Sequence, residues 1–480
     1  MGNFSSRIIS VLAMLFSLLG GFAAMLAMAG NIVAVTLNEA KQLYLDGDYE
    51  SALPVFKKAL ASKPRDGSLN QWVGVCLMRT GHADEAEQYL KKAQSRGIAE
   101  APRYLAELAF NNYSFNEAGE YFENYDKALL KAKKTMSDEA AGLQRKITLA
   151  KQMFDGVEKI TIIDSVSVDR ESFFKAYRLS PESGSLNTTE VLPSGAKYAD
   201  ETVVYMPESK ELMMWAALDS ANNYELVQSA KMIGGKWERP HSLGSSLNFG
   251  GGDSNYPFLM SDGVTLYFAN NGDSSIGGYD IFLTRRDDDN GYLNPQNIGM
   301  PFNSPYDDYM LAIDEINGIG WWATDRNQIE DSITIYKFIP SELRVNYPSD
   351  APDLASKARI DNYRDTWAPG ADYTSLLEQI EETSQVAKTK NADFYFAMPG
   401  GKIYRYWDDF SNNQARNLME NYLDAVTKLN TDKRRLAVLR KKYAGGDTRL
   451  TSDILDLELS IEKDRLEIKR LSNAVVMAEK

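Results

Sequence analysis

One shape is written twice along this chain. Residues 267–282 read YFANNGDSSIGGYDIF, and 54 positions later residues 321–336 read WWATDRNQIEDSITIY. Tyr267 falls on Trp321, Phe268 on Trp322, Ala269 on Ala323, Ile281 on Ile335 and Phe282 on Tyr336. Shape is kept while chemistry changes, which suits stacked architecture and not a reaction centre. A weaker copy lies upstream: YELV (224–227) precedes YDIF by 55 positions, as Leu247-Asn248 precedes Phe302-Asn303. β-Branched and aromatic runs broken by turns such as Asp262-Gly263 make each unit strand, turn, strand. A central β domain is expected over 157–345, its aromatics filling the space between neighbouring sheets.

A second period precedes it. Gly47 and Gly81 are 34 apart, as are Ala52 and Ala86, Phe56 and Leu90, and Ala59 and Ala93. Small Ala lets paired helices press together, and Gly lets the chain turn between them. A third copy places Ala118 and Phe122 at a step of 32, without the turn glycine and with Tyr125 where the earlier copies have Ala. The spacing predicts a helical solenoid over 36–155, closed by a capping helix.

Composition removes many chemistries. Cys76 is the only cysteine, and His82 and His241 are the only histidines. Intrachain disulfides, thiolate zinc sites and most nucleophile–base pairs are therefore excluded. HExxH, GxSxG and P-loop patterns do not occur, and the Asp287–Gly291 run lacks the spacing of an EF-hand. A formal charge of −14, with no block of Lys or Arg apart from acids, argues against nucleic acid. No catalytic residue, metal or cofactor is expected.

Arg7, an apolar run to Ala29 and the small-residue site Ala27-Met28-Ala29 read as a signal peptide over 1–29, with an uncleaved anchor as the alternative. The chain is expected to work outside the cytoplasm. After the boundary NYPSDAPD come a helix and the hairpin FYFAMPGGKIYRYW (346–411), which stands as a possible completion of the β domain. Residues 412–480 are helical: Ile454, Leu457, Ile461, Ile468, Leu471 and Val475 follow 3,4 spacing, as do Leu418 to Tyr443 before the break AGGDT. That spacing predicts an antiparallel helical hairpin or coiled coil, pairing within the chain or between copies.

The 34-residue units resemble tetratricopeptide repeats over about 90 residues. The resemblance implies a groove for protein segments lined by Lys41, Tyr44, Gln71, Val75 and Met78, with packing between repeats as the alternative for Val75. FLMSDGVTLYFANN and YDIF resemble the WD40-like PD40 propeller repeat, which implies β-propeller blades. The module order resembles exported envelope proteins of Bacteroidetes-type bacteria, some tied to secretion and gliding. Their peptidoglycan-binding OmpA-like domain has no counterpart here. The fold class expected is multidomain α + β: TPR-like solenoid, propeller-like centre, helical tail. The function expected is a periplasmic scaffold with protein partners in an outer-membrane or secretion complex, membrane-associated through them or the N-terminal segment. The alternative is a glycan- or peptide-binding module with Trp321 or Trp322 as platform.

Overall fold

The computed structural model describes residues 35–232, 235–287, 291–341, 343–378, 380, 394, 396–398, 403–404, 406–444 and 448–479. The expected export segment 1–29, the Gly400-Gly401 turn and Asp288 to Asn290 lie outside the described residues. Two compact units emerge. One holds the chain up to Val157 with Asp273–Gly277 and Tyr347–Arg359; the other holds Glu158–Gly272, Gly278–Asn346 and the chain from Ile360.

The first unit is built from helix pairs: α1 (Leu37–Leu45) with α2 (Tyr49–Ser62), α3 (Gly67–Arg79) with α4 (Ala83–Ser95), α5 (Ala101–Asn111) with α6 (Phe115–Ala132). Polar residues start them. Thr36 and Glu39 form a reciprocal capping box on α1, and Asp48 and Asp66 cap α2 and α3. The repeat positions are the core: Ala52, Phe56, Ala86, Leu90, Ala118 and Phe122 are all buried. At Gly74 an added Cβ would stand 2.8 Å from Leu90 Cγ, so glycine is what lets α3 and α4 meet. Gly47 and Gly81 turn between helices at φ 86° and 80°; in the third copy Tyr113 does so at φ 60°. That left-handed backbone costs a tyrosine about 1 kcal/mol or more, and the ring is buried, 5.6 Å from Phe115. The last helix, α7 (Asp138–Phe154), buries Ala140, Ile147 and Ala150 and sets Phe154 against Phe115 at 5.3 Å. Residues 347–359, expected as linker, instead belong to this unit: α8 (Leu354–Arg359) ends with Arg359 over the Tyr113 ring.

The second unit is sheet-rich, with no closed barrel among its described residues. Its strands are β1 (Thr161–Asp169), β2 (Ser185–Asn187), β3 (Val204–Met206), β4 (Leu212–Leu218), β5 (Tyr224–Ala230), β6 (His241–Ser242), β7 (Ser254–Leu259), β8 (Thr265–Asn270), β9 (Asp280–Arg285), β10 (Gln296–Asn297), β11 (Asp308–Asp314), β12 (Ile319–Thr324) and β13 (Ser332–Ile339). They form three antiparallel sheets, ordered β2-β3-β4-β5-β6, β10-β9-β8-β7 and β1-β13-β12-β11. β8 and β12 fall 54 residues apart, so the repeated letters are cross-strand neighbours: Phe268 opposes Phe282, and Trp322 opposes Tyr336. A third ring completes each pair. Phe249 lies 5.3 Å from Phe282, and Phe302 lies 5.1 Å from Trp322.

Polar staples repeat with the rings. Asn248 accepts from Leu226 N (2.7 Å) and donates to Leu226 O (3.3 Å); Asn303 treats Ile281 in the same way at 2.7 and 2.9 Å. One side-chain amide thus satisfies both backbone groups of a strand residue, as a neighbouring strand would. Asp253 and Asp307, also 54 apart, accept from Tyr224 N and Tyr279 N.

Beyond the sheets, β14 (Phe396–Ala397) pairs with β15 (Ile403–Tyr404). Among the described residues these two strands pair only with each other. Their Phe396 and Tyr404 are spent on Phe410, Met419 and Val475, an apolar cluster built with the helices α9 (Asn413–Ala444) and α10 (Thr451–Glu479). The two helices share a seam of Leu429, Leu436, Ile454, Leu457 and Ile461, flanked by Arg440 Nη2 at 2.8 Å from Glu458. Tyr443, placed in that seam by spacing, is 42% exposed.

Candidate functional site: the first-helix face of the repeats

Five residues were expected on the groove formed by first helices. Lys41 and Tyr44 on α1 and Gln71 and Met78 on α3 are half-buried. Val75 is not available. It is 1% exposed, because α3 is the middle first helix and buries Val73, Val75, Cys76 and Leu77 between its neighbours. Tyr44 is partly committed to packing, edge-on to Tyr49 at 5.6 Å and to Phe56 at 6.1 Å. Burial, with Tyr104 alongside, raises its phenol above the ordinary range, so it stays neutral. Gln71 keeps an enclosed Oε1 that meets no donor among the described residues.

Four more residues share this face. The Lys41 ammonium sits 5.0 Å from the Trp72 ring centroid. Trp72 is half-buried against Phe56, and Tyr104 on α5 is half-buried under the Arg103 guanidinium at 4.3 Å. Arg79 reaches from α3 to Glu107 on α5 with two hydrogen bonds, Nη2 to Oε2 at 3.0 Å and Nη1 to Oε1. Trp72 and Tyr104 occupy one position in successive repeats, 32 residues apart. Carrying the register of Ala86 and Ala118 onto the first helices would have found them. The result is a row of aromatic and charged groups from three helices. Flat rings with ammonium, guanidinium and carboxylate groups between them match the alternating apolar and polar groups of a peptide.

The sheet-bearing unit leaves no room for the alternative platform at Trp321 or Trp322. Alternation along β12 does send them to opposite faces, but the sheet is covered on both, and each indole is 0% exposed. Neither can stack on a sugar. Among the described residues no group of three or more His, Cys, Asp or Glu side chains is placed to hold a metal ion. Asp287 uses its carboxylate to accept from Gly291 N at 2.7 Å, the bond of a turn.

Burial pushes a carboxyl of this unit up toward neutrality. Burial, helped by Glu208 and Asp314, raises Glu182 from 4.5 to about 7. The folded state therefore holds this proton more tightly than the unfolded chain does. The associated stability is fully present below about pH 4.5 and is lost as pH rises through about 7. Urea midpoints should fall from about pH 5 to about pH 8, and Glu182→Gln should give a shallower fall. Equal slopes for wild type and variant would assign the proton uptake elsewhere.

Compared with known proteins, residues 43–109 match the tetratricopeptide repeat family. That span runs from the end of α1 to α5 and holds Trp72, Arg79, Tyr104 and Glu107. Repeats of this family generally mediate protein–protein interactions. No curated protein matches the chain.

Proposed function

We propose that this protein is a non-catalytic, exported scaffold of the cell envelope. It holds a protein segment on the first-helix face of the solenoid and a second partner on the sheets. In this reading the three sheets are PD40-like propeller blades, the last one completed by β1. Helices α9 and α10 form an antiparallel hairpin, which also offers a surface for pairing copies. The working place is the periplasm, in an outer-membrane or secretion complex, reached through partners or an uncleaved 1–29 segment.

The observation that carries the reading is the row Lys41, Trp72, Tyr104 and Arg79, half-open on the face that the family uses. Trp, Tyr and Arg are the side chains that dominate protein interfaces, because they bring large contact area at low entropy cost. The scarcity of His and Cys, with Cys76 fully buried, supports the non-catalytic part.

The test is capture of partners from envelope fractions by immobilised full-length protein, wild type against Lys41→Glu combined with Gln71→Ala. The double variant should retain the helicity of wild type and lose a specific partner at least about tenfold, the scale of one or two hot-spot contacts. Undiminished recovery of every wild-type partner would sink the groove.

A further inference from the structure

The sheet-bearing unit contains a cavity of about 670 Å³ whose lining includes Phe173, Tyr256 and Tyr309. Tyr256 and Tyr309 stack at 4.6 Å, and Phe173 stands edge-on to both at 5.9 and 5.4 Å. Both tyrosines are more than nine-tenths buried. Elsewhere in the same core, buried tyrosines satisfy their hydroxyls: Tyr177 donates to Met310 O at 2.8 Å and Tyr205 to Leu259 O at 2.7 Å. The hydroxyls of Tyr256 and Tyr309 make no hydrogen bond among the described residues. The rest of each side chain is buried, so these two hydroxyls open only toward the cavity and mark places for a ligand's polar atoms.

The charge of the wall says which ligand. Asp169, Glu171, Glu201 and Asp331, all exposed, stand among the lining residues with a single cation, Arg170, and Asp169 also accepts from Glu171 N and Ser172 N. That guanidinium already lies 3.4 Å from the Asp325 carboxylate. A site with an aromatic floor, hydroxyl acceptors and an excess of carboxylates complements a positive group on an apolar stem. A neutral sugar would gain nothing from those carboxylates beyond what water gives them, and the faces at which Tyr256 and Tyr309 meet are closed to it. The volume lies in the range of organic-ligand sites.

We propose that this cavity binds the ammonium or guanidinium side chain of a lysine or arginine in a partner's extended basic segment. The stem lies along Phe173 and the two tyrosines, and the charged head faces Glu201 and its neighbouring carboxylates. The phenol hydroxyls accept hydrogen bonds from the head group. This gives the second partner of the proposed function a chemistry but does not rest on the solenoid, so the groove variants and the cavity variants fail separately.

The probe is a dye-labelled hexapeptide of alternating glycine and lysine, titrated by fluorescence anisotropy against the full chain. Its twin carries Nε-acetyl-lysine, which keeps the stem and removes the charge. The lysine peptide should bind at least about tenfold more tightly than its acetylated twin and weaken with added salt. Glu201→Gln and Tyr256→Phe should each weaken it at least about threefold, with an unchanged melting temperature, while Glu208→Gln outside the cavity should not. If Tyr256→Phe fails to fold, Glu171→Gln on the exposed rim replaces it with the same expectation. Equal affinity for the two peptides, loss in Glu208→Gln equal to that in Glu201→Gln, or preferential binding of a neutral oligosaccharide would each overturn the assignment.

Discussion

Replacing Asp308 with alanine is expected to destabilise the sheet-bearing unit by about 3–5 kcal/mol, because it strands a buried guanidinium. Asp308 and the Arg326 side chain are 0% and 2% exposed, and Oδ1 lies 2.6 Å from Nη2. Three further hydrogen bonds hold the pair: Ser304 Oγ donates to Asp308 Oδ2, Arg326 Nη2 donates to Phe302 O, and Arg326 Nε donates to Thr324 Oγ1. Burial outweighs the pull of Arg326 and lifts the Asp308 carboxyl to about 6. The pair is costly to assemble, and the larger cost is in breaking half of it. One unit earlier the same place is neutral, with Asn270 Nδ2 donating to Ser254 Oγ at 2.9 Å. Asp308→Ser with Arg326→Met should therefore recover most of the loss. Urea unfolding followed by tryptophan fluorescence measures both. A loss below about 1 kcal/mol in the alanine variant would mean that the charge is solvated in solution.

Trp322→Ala should cost about as much, roughly 3–5 kcal/mol, through lost contact area and the cavity left behind. Its ring is fully buried among Phe302, Tyr336 and Phe338 at 5.1, 4.9 and 5.4 Å. The preceding unit carries Phe268 at this position, so Trp322→Phe should retain more than half of the stability lost in the alanine variant. The comparison of urea midpoints separates a volume effect from a specific need for indole. If phenylalanine were as damaging as alanine, wedge packing would not be what the repeated aromatics supply.

Much of the fold is legible where a local steric demand repeats. Ala52 and Ala86 betray helix pairs because nothing larger fits between the helices, and Phe268 and Trp322 betray strands because their partners Phe282 and Tyr336 repeat with them. The third helical copy is harder to see, since Tyr113 takes a backbone conformation that its predecessors leave to glycine. What escapes is decided by distant neighbours. Val75 has the right place on its helix for a groove residue, and only the covering by adjacent helices removes it. Alternation sends Trp321 and Trp322 to opposite faces, yet it cannot tell that both faces are covered. The pair Asn248 and Asn303 is visible as repeated letters. That each bonds to both backbone groups of one strand residue shows only in the structure. The Tyr256 and Tyr309 hydroxyls leave no sequence trace, because an unmet hydrogen bond is a property of surroundings and not of spacing.

The pairing of β1 with β13 has a consequence for how the protein is made. Thr161–Asp169 emerges first and finds its partner only in Ser332–Ile339. At about 5–20 residues per second, the intervening stretch of about 160 residues takes roughly 10–30 s to synthesise. Through that interval β1 lacks its strand partner, and a release at any point short of residue 332 leaves it unmatched. The unit thus carries its own checkpoint: only a chain read through β13 can tie β1 down.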